Sequence, residues 1–245
     1  ETIDIHVGGV DNMFPHHENE IAQSEACSGQ LFSKIWMHSE HLLVDNKKMS
    51  KSLGNFYTLR DLLNKGFSGT QVRYLLLQTH YKTQLNFTFQ GLEATKSALN
   101  RLNDFIQRLN EVKGDQPGHK VQELCQKTLD HFAESLADDL NISAALAAIF
   151  DFVRDMNCLC DAGQVSKEEA EKALALMKRF NTVLGILSFE KAEPEIPEEL
   201  KIAFERRLQA RQEKNWKLAD ELRDFIQQRG YVIEDTPNGV RLKKA

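Results

Sequence analysis

Apolar and polar positions alternate at the start of the chain, where Ile3, Ile5 and Val7 are interleaved with Asp4 and His6. A period of two predicts a strand, and Gly8-Gly9 ends it. A helix is expected over about 16–26, and the mixed run from Ile35 to Leu43 reads as a second strand leading into a polar loop from Asp45 to Asn55. Strand, glycine turn, helix and strand is the order of a parallel α/β unit. The period then becomes helical. Short helices are expected over 59–64 and 70–78, and from Leu92 the residues Leu99, Leu102, Phe105, Ile106 and Leu109 recur on one face. After a loop at 114–118, amphipathic helices are expected over about 121–137, 143–160 and 166–187, with Leu146, Ile149, Phe150 and Val153 inward in the second. Ser166 with Glu169 forms a capping box at the start of the third. Together these segments predict an antiparallel helical bundle.

Pro194 and Pro197, set among acidic residues, mark a linker. Beyond it, helices over about 198–213 and 216–229 precede strands at 231–234 and 240–242, joined across Pro237-Asn238-Gly239 as a hairpin. The expected organisation is therefore an α/β portion at 1–56, a connector at 57–86, the bundle at 87–189, a linker at 190–199 and a small α/β unit at 200–245. In the last helix, Leu218, Leu222, Phe225 and Ile226 form an apolar stripe, while Trp216, Asp220, Arg223 and Gln227 fall opposite. A tryptophan on a polar face is either covered by another helix or is a platform on which an unpaired base can stack. Arg211 is suited to contact a guanine bidentately, and Asp220 or Asp235 to accept from a cytosine amino group.

Composition acts mainly by exclusion. With 245 residues, 41% of them hydrophobic and 27% charged, the chain has the make-up of a folded globular protein. The longest apolar run, Ala144 to Phe150, is far shorter than the roughly 20 residues of a membrane crossing. Four cysteines, Cys27, Cys125, Cys158 and Cys160, are too few for a disulfide-stapled secreted domain and point to a reducing, cytoplasmic setting. Cys158 and Cys160, about 200° apart on a helix, share no metal edge and read as buried thiols. The net charge of −5 argues against a phosphate-rich partner, but 201–245 carries 11 Lys or Arg against 7 Asp or Glu, so this tail alone is weakly basic. There is no initiator Met, and the immediate strand pattern reads as the interior of a larger polypeptide.

Two short runs carry chemistry. In His16-His17-Glu18-Asn19-Glu20, a helix started by Pro15 would set His16 and Glu20 four apart on one face, a spacing that suits two ligands of one metal ion, with His17 and Glu18 pointing elsewhere. The same run is also compatible with a solvated helix start whose acids favour the dipole. A closed zinc site needs four ligands, and only two are offered here. Lys48-Met49-Ser50-Lys51-Ser52, followed by Leu53-Gly54-Asn55, places two ammonium groups, two hydroxyls and a glycine in one loop. Such a loop can close over a polyphosphate, with Lys51 facing the charge that builds as pyrophosphate is displaced. As a bare lysine-rich turn it would simply be solvated.

Gly8-Gly9-Val10-Asp11, Phe14 to Glu20, and Lys48 to Phe56 together resemble the second half of the catalytic core of a cysteinyl-tRNA synthetase, a class I aminoacyl-tRNA synthetase. The resemblance continues through Asp138-Asp139-Leu140-Asn141 in the bundle and Ala219-Asp220-Glu221-Leu222-Arg223 in the tail, so it covers the whole chain. It implies a mainly α chain with α/β parts: the C-terminal half of a Rossmann-like catalytic domain, a stem-contact connector, a helical bundle and a small anticodon-binding domain. It also implies that His16 and Glu20 bind zinc with two cysteines, and that the substrate thiolate adds to the metal. Zinc prefers thiolate to hydroxyl, so serine is rejected without editing. Gly9 and Asp11 match the part that meets adenosine, His6 faces the same pocket as either an amino-acid contact or a packed histidine, and Lys48, Ser50, Lys51 and Ser52 match the ATP-binding loop. ATP, Mg, L-cysteine and tRNA(Cys) are the implied cofactors and partners, with Arg211, Trp216, Asp220 and Asp235 toward the GCA anticodon and a monomer when complete. No His-x-Gly-His signature occurs and neither zinc cysteine has a counterpart, so the chain by itself is expected to be inactive. The alternatives are a mycothiol-pathway cysteine ligase, which needs no anticodon unit, and an RNA-binding or scaffold module without catalysis.

Overall fold

The computed structural model describes residues 2–114, 120–189, 197–213, 215–236 and 239–244; in the final hairpin, side chains are described only at 231–233 and 242. The chain divides into two compact units, Glu1–Phe189 and Glu190–Ala245. No described helix is long and apolar enough to cross a membrane.

The first unit opens with β1 (Ile3–Gly9) and β2 (Ser33–Ser39), paired in parallel from Ile3↔Ser33 to Gly9↔Ser39, with α1 (Glu18–Ser28) between them. Strand alternation makes two faces. Ile5, Val7 and Ile35 are exposed on one, whereas His6, Trp36 and His38 lie on the other, the face that carries the site. Of the two polar members of the β1 alternation, His6 is thus packed and Asp4 is exposed.

The expected single strand at 35–43 is instead two strands in two sheets, because the chain turns at Glu40-His41. Past that turn, β3 (Leu42–Val44) pairs antiparallel with β4 (Lys47–Lys48) and parallel with β5 (Leu85–Phe87). Asp45 and Asn46, at φ 49° and 60°, supply the left-handed pair that a two-residue hairpin turn requires. Asn86 braces the turn: its Oδ1 accepts from Asn46 N at 2.8 Å and its Nδ2 donates to Asn46 Oδ1 at 2.9 Å.

Helices α2 (Leu59–Asn64) and α3 (Gly69–Leu77) each begin with a capping box, Thr58 with Asp61 and Ser68 with Gln71. They surround a small core of Val44, Leu62, Leu75, Phe87 and Leu92, against which Met49 packs. The main core belongs to the bundle of α4 (Phe89–Glu111), α5 (Lys120–Ala137), α6 (Ile142–Asp161) and α7 (Lys167–Leu184). Phe105 meets Phe152 edge-on at 5.9 Å and Phe132 lies 4.5 Å from Phe180. Fully buried side chains of this kind each contribute about 1.5–3 kcal/mol. Helix α7 stops three residues before the expected Leu187, because Gly185 takes the left-handed φ of 61° that closes a helix. The Arg73 guanidinium then donates to the Leu184 carbonyl, satisfying a helix-end acceptor.

In the second unit, α8 (Glu198–Gln212) and α9 (Trp216–Gln228) precede a hairpin of β6 (Tyr231–Thr236) and β7 (Gly239–Lys244). Its core is Leu200, Ala203, Ile226 and Tyr231. The hairpin is longer than expected, and Gly239 pairs with Thr236 in the ladder. Leu218 departs from the expected stripe: it is exposed, and Ala219 is buried instead. The other expected members hold: Ile226 is buried, and Leu222 and Phe225 pack partly buried against the same core.

Of the two thiols read as buried, Cys158 is exposed and Cys160 is half-buried, as their rotation around α6 demands. Burial raises the Cys160 thiol and, with the Glu169 charge second, pushes Cys125 up to about 11. Because the thiolate is the nucleophile, iodoacetamide at about pH 8 should alkylate Cys27 and Cys158 first and Cys125 about 100-fold more slowly. Peptide mass spectrometry over time reads this directly, and equal rates at Cys125 and Cys158 would contradict the packing of α5.

Candidate functional site

The site is built on the C-terminal ends of two parallel strands, where open α/β sheets place their ligands. After β1, a tight turn at Val10–Asn12 and a wider one at Met13–His17 lead into α1. Pro15 therefore lies in the turn before α1 and does not start it. The wide turn changes the angular spacing expected of a helix. His17 is only 4% exposed and aims inward, contrary to the expectation that it points elsewhere.

Glu20, in the first turn of α1, collects the surrounding imidazoles. His16 Nε2 lies 3.3 Å from Glu20 Oε1, so the expected pair converges, and His6 Nε2 lies 3.0 Å from Glu20 Oε2. Oε2 is buried and has no hydrogen bond of good geometry, an atom placed for a further electrophilic partner. The donor atoms of His6, His17 and Glu20 lie within 4.8 Å of one another. Two imidazoles and a carboxylate are donors that suit zinc, and three protein ligands with an open position are typical of a catalytic site. The donor set therefore fits a zinc ion, with His6, His17 and Glu20 as the residues able to hold it, while the more exposed His16 meets Glu20 from outside this trio. Among the described residues no cysteine joins this cluster, and Cys27 is exposed at the far end of α1.

Around these donors lies a ring of aromatic side chains. His6 packs on His17 at 4.8 Å, on Trp36 at 4.7 Å and on Phe32 at 5.6 Å. His17 Nδ1 is 2.8 Å from His38 Nε2, so one nitrogen carries the shared proton and the two rings fix each other. Burial, followed by the charges His38 and His6 would carry, lowers the His17 pKa and keeps its ring neutral, the state in which imidazole ligates a metal. Gly8 is required beneath it: a Cβ there would meet His17 Cε1 at 2.6 Å. Trp36, His38 and Phe32 were not singled out by the sequence, and His17 was expected to point elsewhere. Pairing of His6 with Trp36 and Gly8 with His38 is what brings Trp36 and His38 in, and only the parallel register reveals it.

The Asp11 carboxylate folds back over Gly9. Lys48 lies at the end of β4. Asn55 clamps the loop that follows, accepting from Ser50 N at 2.9 Å and donating to the Lys48 carbonyl at 3.1 Å. Ser50 and Ser52 hydroxyls are 3.0 Å apart, and Ser50 Oγ accepts from Leu53 N. With Met49 anchored in the connector core, Lys51 stands exposed, its ammonium 5.8 Å from the Phe56 ring. Two cations and two hydroxyls are thus presented on a self-tied turn.

In the second unit, Trp216 is 59% exposed in the first turn of α9, so no described helix of that unit covers it. Arg211 is exposed near the end of α8, and Asp220 is exposed with Arg223 at 3.7 Å. The side chain of Asp235 lies outside the described residues; its backbone pairs with Val240.

Three family models match the chain: tRNA synthetases class I (C) catalytic domain over residues 1–97, DALR domain over 131–188, and Cysteinyl-tRNA ligase anticodon binding domain over 193–241. Similar curated proteins include a cysteine-tRNA ligase of Protochlamydia amoebophila, 72% identical over 244 residues, and one of Chlamydia caviae, 55% identical over 245. The alignments cover 100% and 99% of this chain and 51% of each relative, so the chain spans about half the length of the curated relatives it matches. Among solved structures, the ternary complex of Agrobacterium radiobacter K84 agnB2 LeuRS-tRNA-LeuAMS is similar with a TM-score of 0.60 at 20% identity, covering 74% of this chain and 25% of that one. This likeness concerns the fold alone.

Proposed function

The chain belongs to the cysteinyl-tRNA synthetase family, and from that premise we propose that it supplies the metal-binding half of a site that activates L-cysteine with ATP and transfers it to tRNA(Cys). The observation that carries this reading is the convergence of His6, His16 and His17 on Glu20, in a chain that also presents Lys48 to Ser52. A zinc ion bound there supplies a centre that prefers a thiolate to a hydroxyl. Glu20 holds His6 and His16 in position, and His38 orients the neutral His17. Phe32 and Trp36 exclude water from one side of His6, strengthening the interactions made in the site.

On the nucleotide side, Asp11 is suited to accept from ribose hydroxyls, beside a backbone at Gly9 that carries no side chain to obstruct adenosine. Lys51 and Lys48 neutralise the polyphosphate together with Mg, and whichever of the paired Ser50 and Ser52 hydroxyls accepts from the other is free to donate to its oxygens. Lys51 is free to follow the departing pyrophosphate because its loop is anchored through Met49 and Asn55, not through Lys51 itself. In the second unit, the exposed Trp216 offers a face for base stacking, with Arg211 and Asp220 as partners for guanine and cytosine edges and Asp235 as a second acceptor. This unit favours tRNA over an amino-sugar acceptor.

The test grafts this chain in place of the corresponding half of the Protochlamydia amoebophila relative. Cysteine-dependent exchange of pyrophosphate into ATP, followed by charging of tRNA(Cys), is the expected result. Exchange with acylation of a glucosaminyl inositol instead would favour the mycothiol-pathway reading, and tRNA binding without exchange would favour the non-catalytic one. In the same assay, Trp216→Ala should weaken charging without changing exchange, by about 1–3 kcal/mol of lost stacking.

A further inference from the structure

The segment Asp138-Asp139-Leu140-Asn141, between α5 and α6, contributes nothing to the site described above, yet it ties the bundle to the connector through several polar contacts. Asp139 Oδ1 accepts from Tyr81 Oη at 2.6 Å, Oδ2 accepts from Lys82 Nζ at 2.5 Å, and the Asp139 carbonyl lies 2.8 Å from His80 Nε2. One residue thus meets three consecutive side chains of the connector. The Lys82 hydrogen bond holds the Asp139 carboxyl below the usual carboxylate range, and Asp139 in turn raises both Tyr81 and Lys82.

The gripped segment is the one that holds the crossover between the two sheets. The Tyr81 carbonyl accepts from Glu40 N at 2.8 Å, and the His41 carbonyl accepts from Leu85 N at 3.3 Å. Residues 40–41 are all that separates β2, which carries Trp36 and His38, from β3, whose hairpin leads to the Lys48–Ser52 loop. A cavity of about 530 Å³ fills the joint, bounded by Trp36, His38, Glu40, Tyr81, Lys82 and Asp139 among others.

We propose that Asp139 is a positioning residue that latches the crossover and thereby fixes the histidine site relative to the lysine loop. The reaction it would serve rests on the function proposed above, but the latch is a property of this chain's fold and is tested without any activity. A purely conformational role is the competing account. Asp139 and Leu140 lie at φ 50° and 59°, where most side chains are disfavoured and Asp, Asn and Gly are accommodated.

The full chain has two tryptophans, so Trp216→Phe leaves Trp36 as the sole reporter beside the joint. In that background, Asp139→Gly keeps the left-handed backbone and the carbonyl that meets His80 but removes the carboxylate that accepts from Tyr81 and Lys82, Asp139→Asn keeps both the backbone and an acceptor for Tyr81, and Tyr81→Phe removes one hydroxyl from a partner. Acrylamide quenching of Trp36 should rise about twofold or more in Asp139→Gly, the scale of a local opening, with helical circular dichroism unchanged. Tyr81→Phe should move quenching in the same direction, and Asp139→Asn should restore most of the parent value. Parent-like quenching in both Asp139→Gly and Tyr81→Phe would overturn the latch. So would an Asp139→Asn as exposed as Asp139→Gly. Were Asp139→Gly to lose its helical signal, Tyr81→Phe alone decides. Because none of these readings requires catalysis, failure of the proposed function and failure of the latch are told apart.

Discussion

Lys51→Ala in the grafted enzyme lowers the rate of cysteine-dependent pyrophosphate exchange by about 10²–10³, the scale of one electrostatic group aimed at developing charge. The physical reason lies in how the loop is held. Asn55 and Met49 fix its two ends, so truncation of the exposed Lys51 removes a charge without unravelling the turn. The loss should fall on kcat, with the KM for cysteine nearly unchanged, because the proposed role of the ammonium is at the transition state and not at the amino acid. Lys51→Arg should recover only part, since a planar fork does not substitute for a compact ammonium. Steady-state exchange kinetics check both, and a loss confined to the KM for cysteine would place Lys51 outside the nucleotide site.

The second large effect concerns Glu20. Glu20→Gln keeps the volume of the side chain but removes the charge that His6 and His16 share. Zinc affinity should fall by at least about 100-fold, beyond the 10–100-fold of a supporting residue, if Glu20 is the ligand proposed here. Competition against a chromophoric chelator measures it on this chain as well as on the graft. His38→Ala, acting only through His17, should stay within about 10–100-fold. Equal losses from Glu20→Gln and His38→Ala would show that Glu20 is no ligand.

The helical part of the fold was legible because its physics is local. Ser166 with Glu169, and the recurrence of Leu99, Leu102, Phe105, Ile106 and Leu109, fix a helix start and a buried face without reference to distant residues. The sheets were less legible. The run Ile35 to Leu43 has no glycine or proline to announce its break, since the break is made by backbone bonds to Tyr81 and Leu85, more than forty residues later. The β1 alternation announced a strand but not which face would be packed, because apolar Ile5 and Val7 are exposed and His6 is covered by Trp36 and Phe32. The site divides along the same line. His16 with Glu20 and Lys48 to Ser52 are contiguous and could be read directly. His17, Trp36 and His38 depend on strand register and on the wide turn at Met13–His17, which no local propensity encodes. In α9, Leu218 outranks Ala219 by hydrophobicity, yet Leu218 is exposed and the smaller Ala219 is buried.

The measurement that bears most directly on sulfur recognition is zinc-edge X-ray absorption of the grafted enzyme, taken without amino acid, with L-cysteine and with L-serine. One additional sulfur neighbour on adding cysteine, none on adding serine, and loss of the metal signal in Glu20→Gln is the outcome expected here. An unchanged zinc environment with bound cysteine, or a zinc signal that survives Glu20→Gln intact, would contradict it.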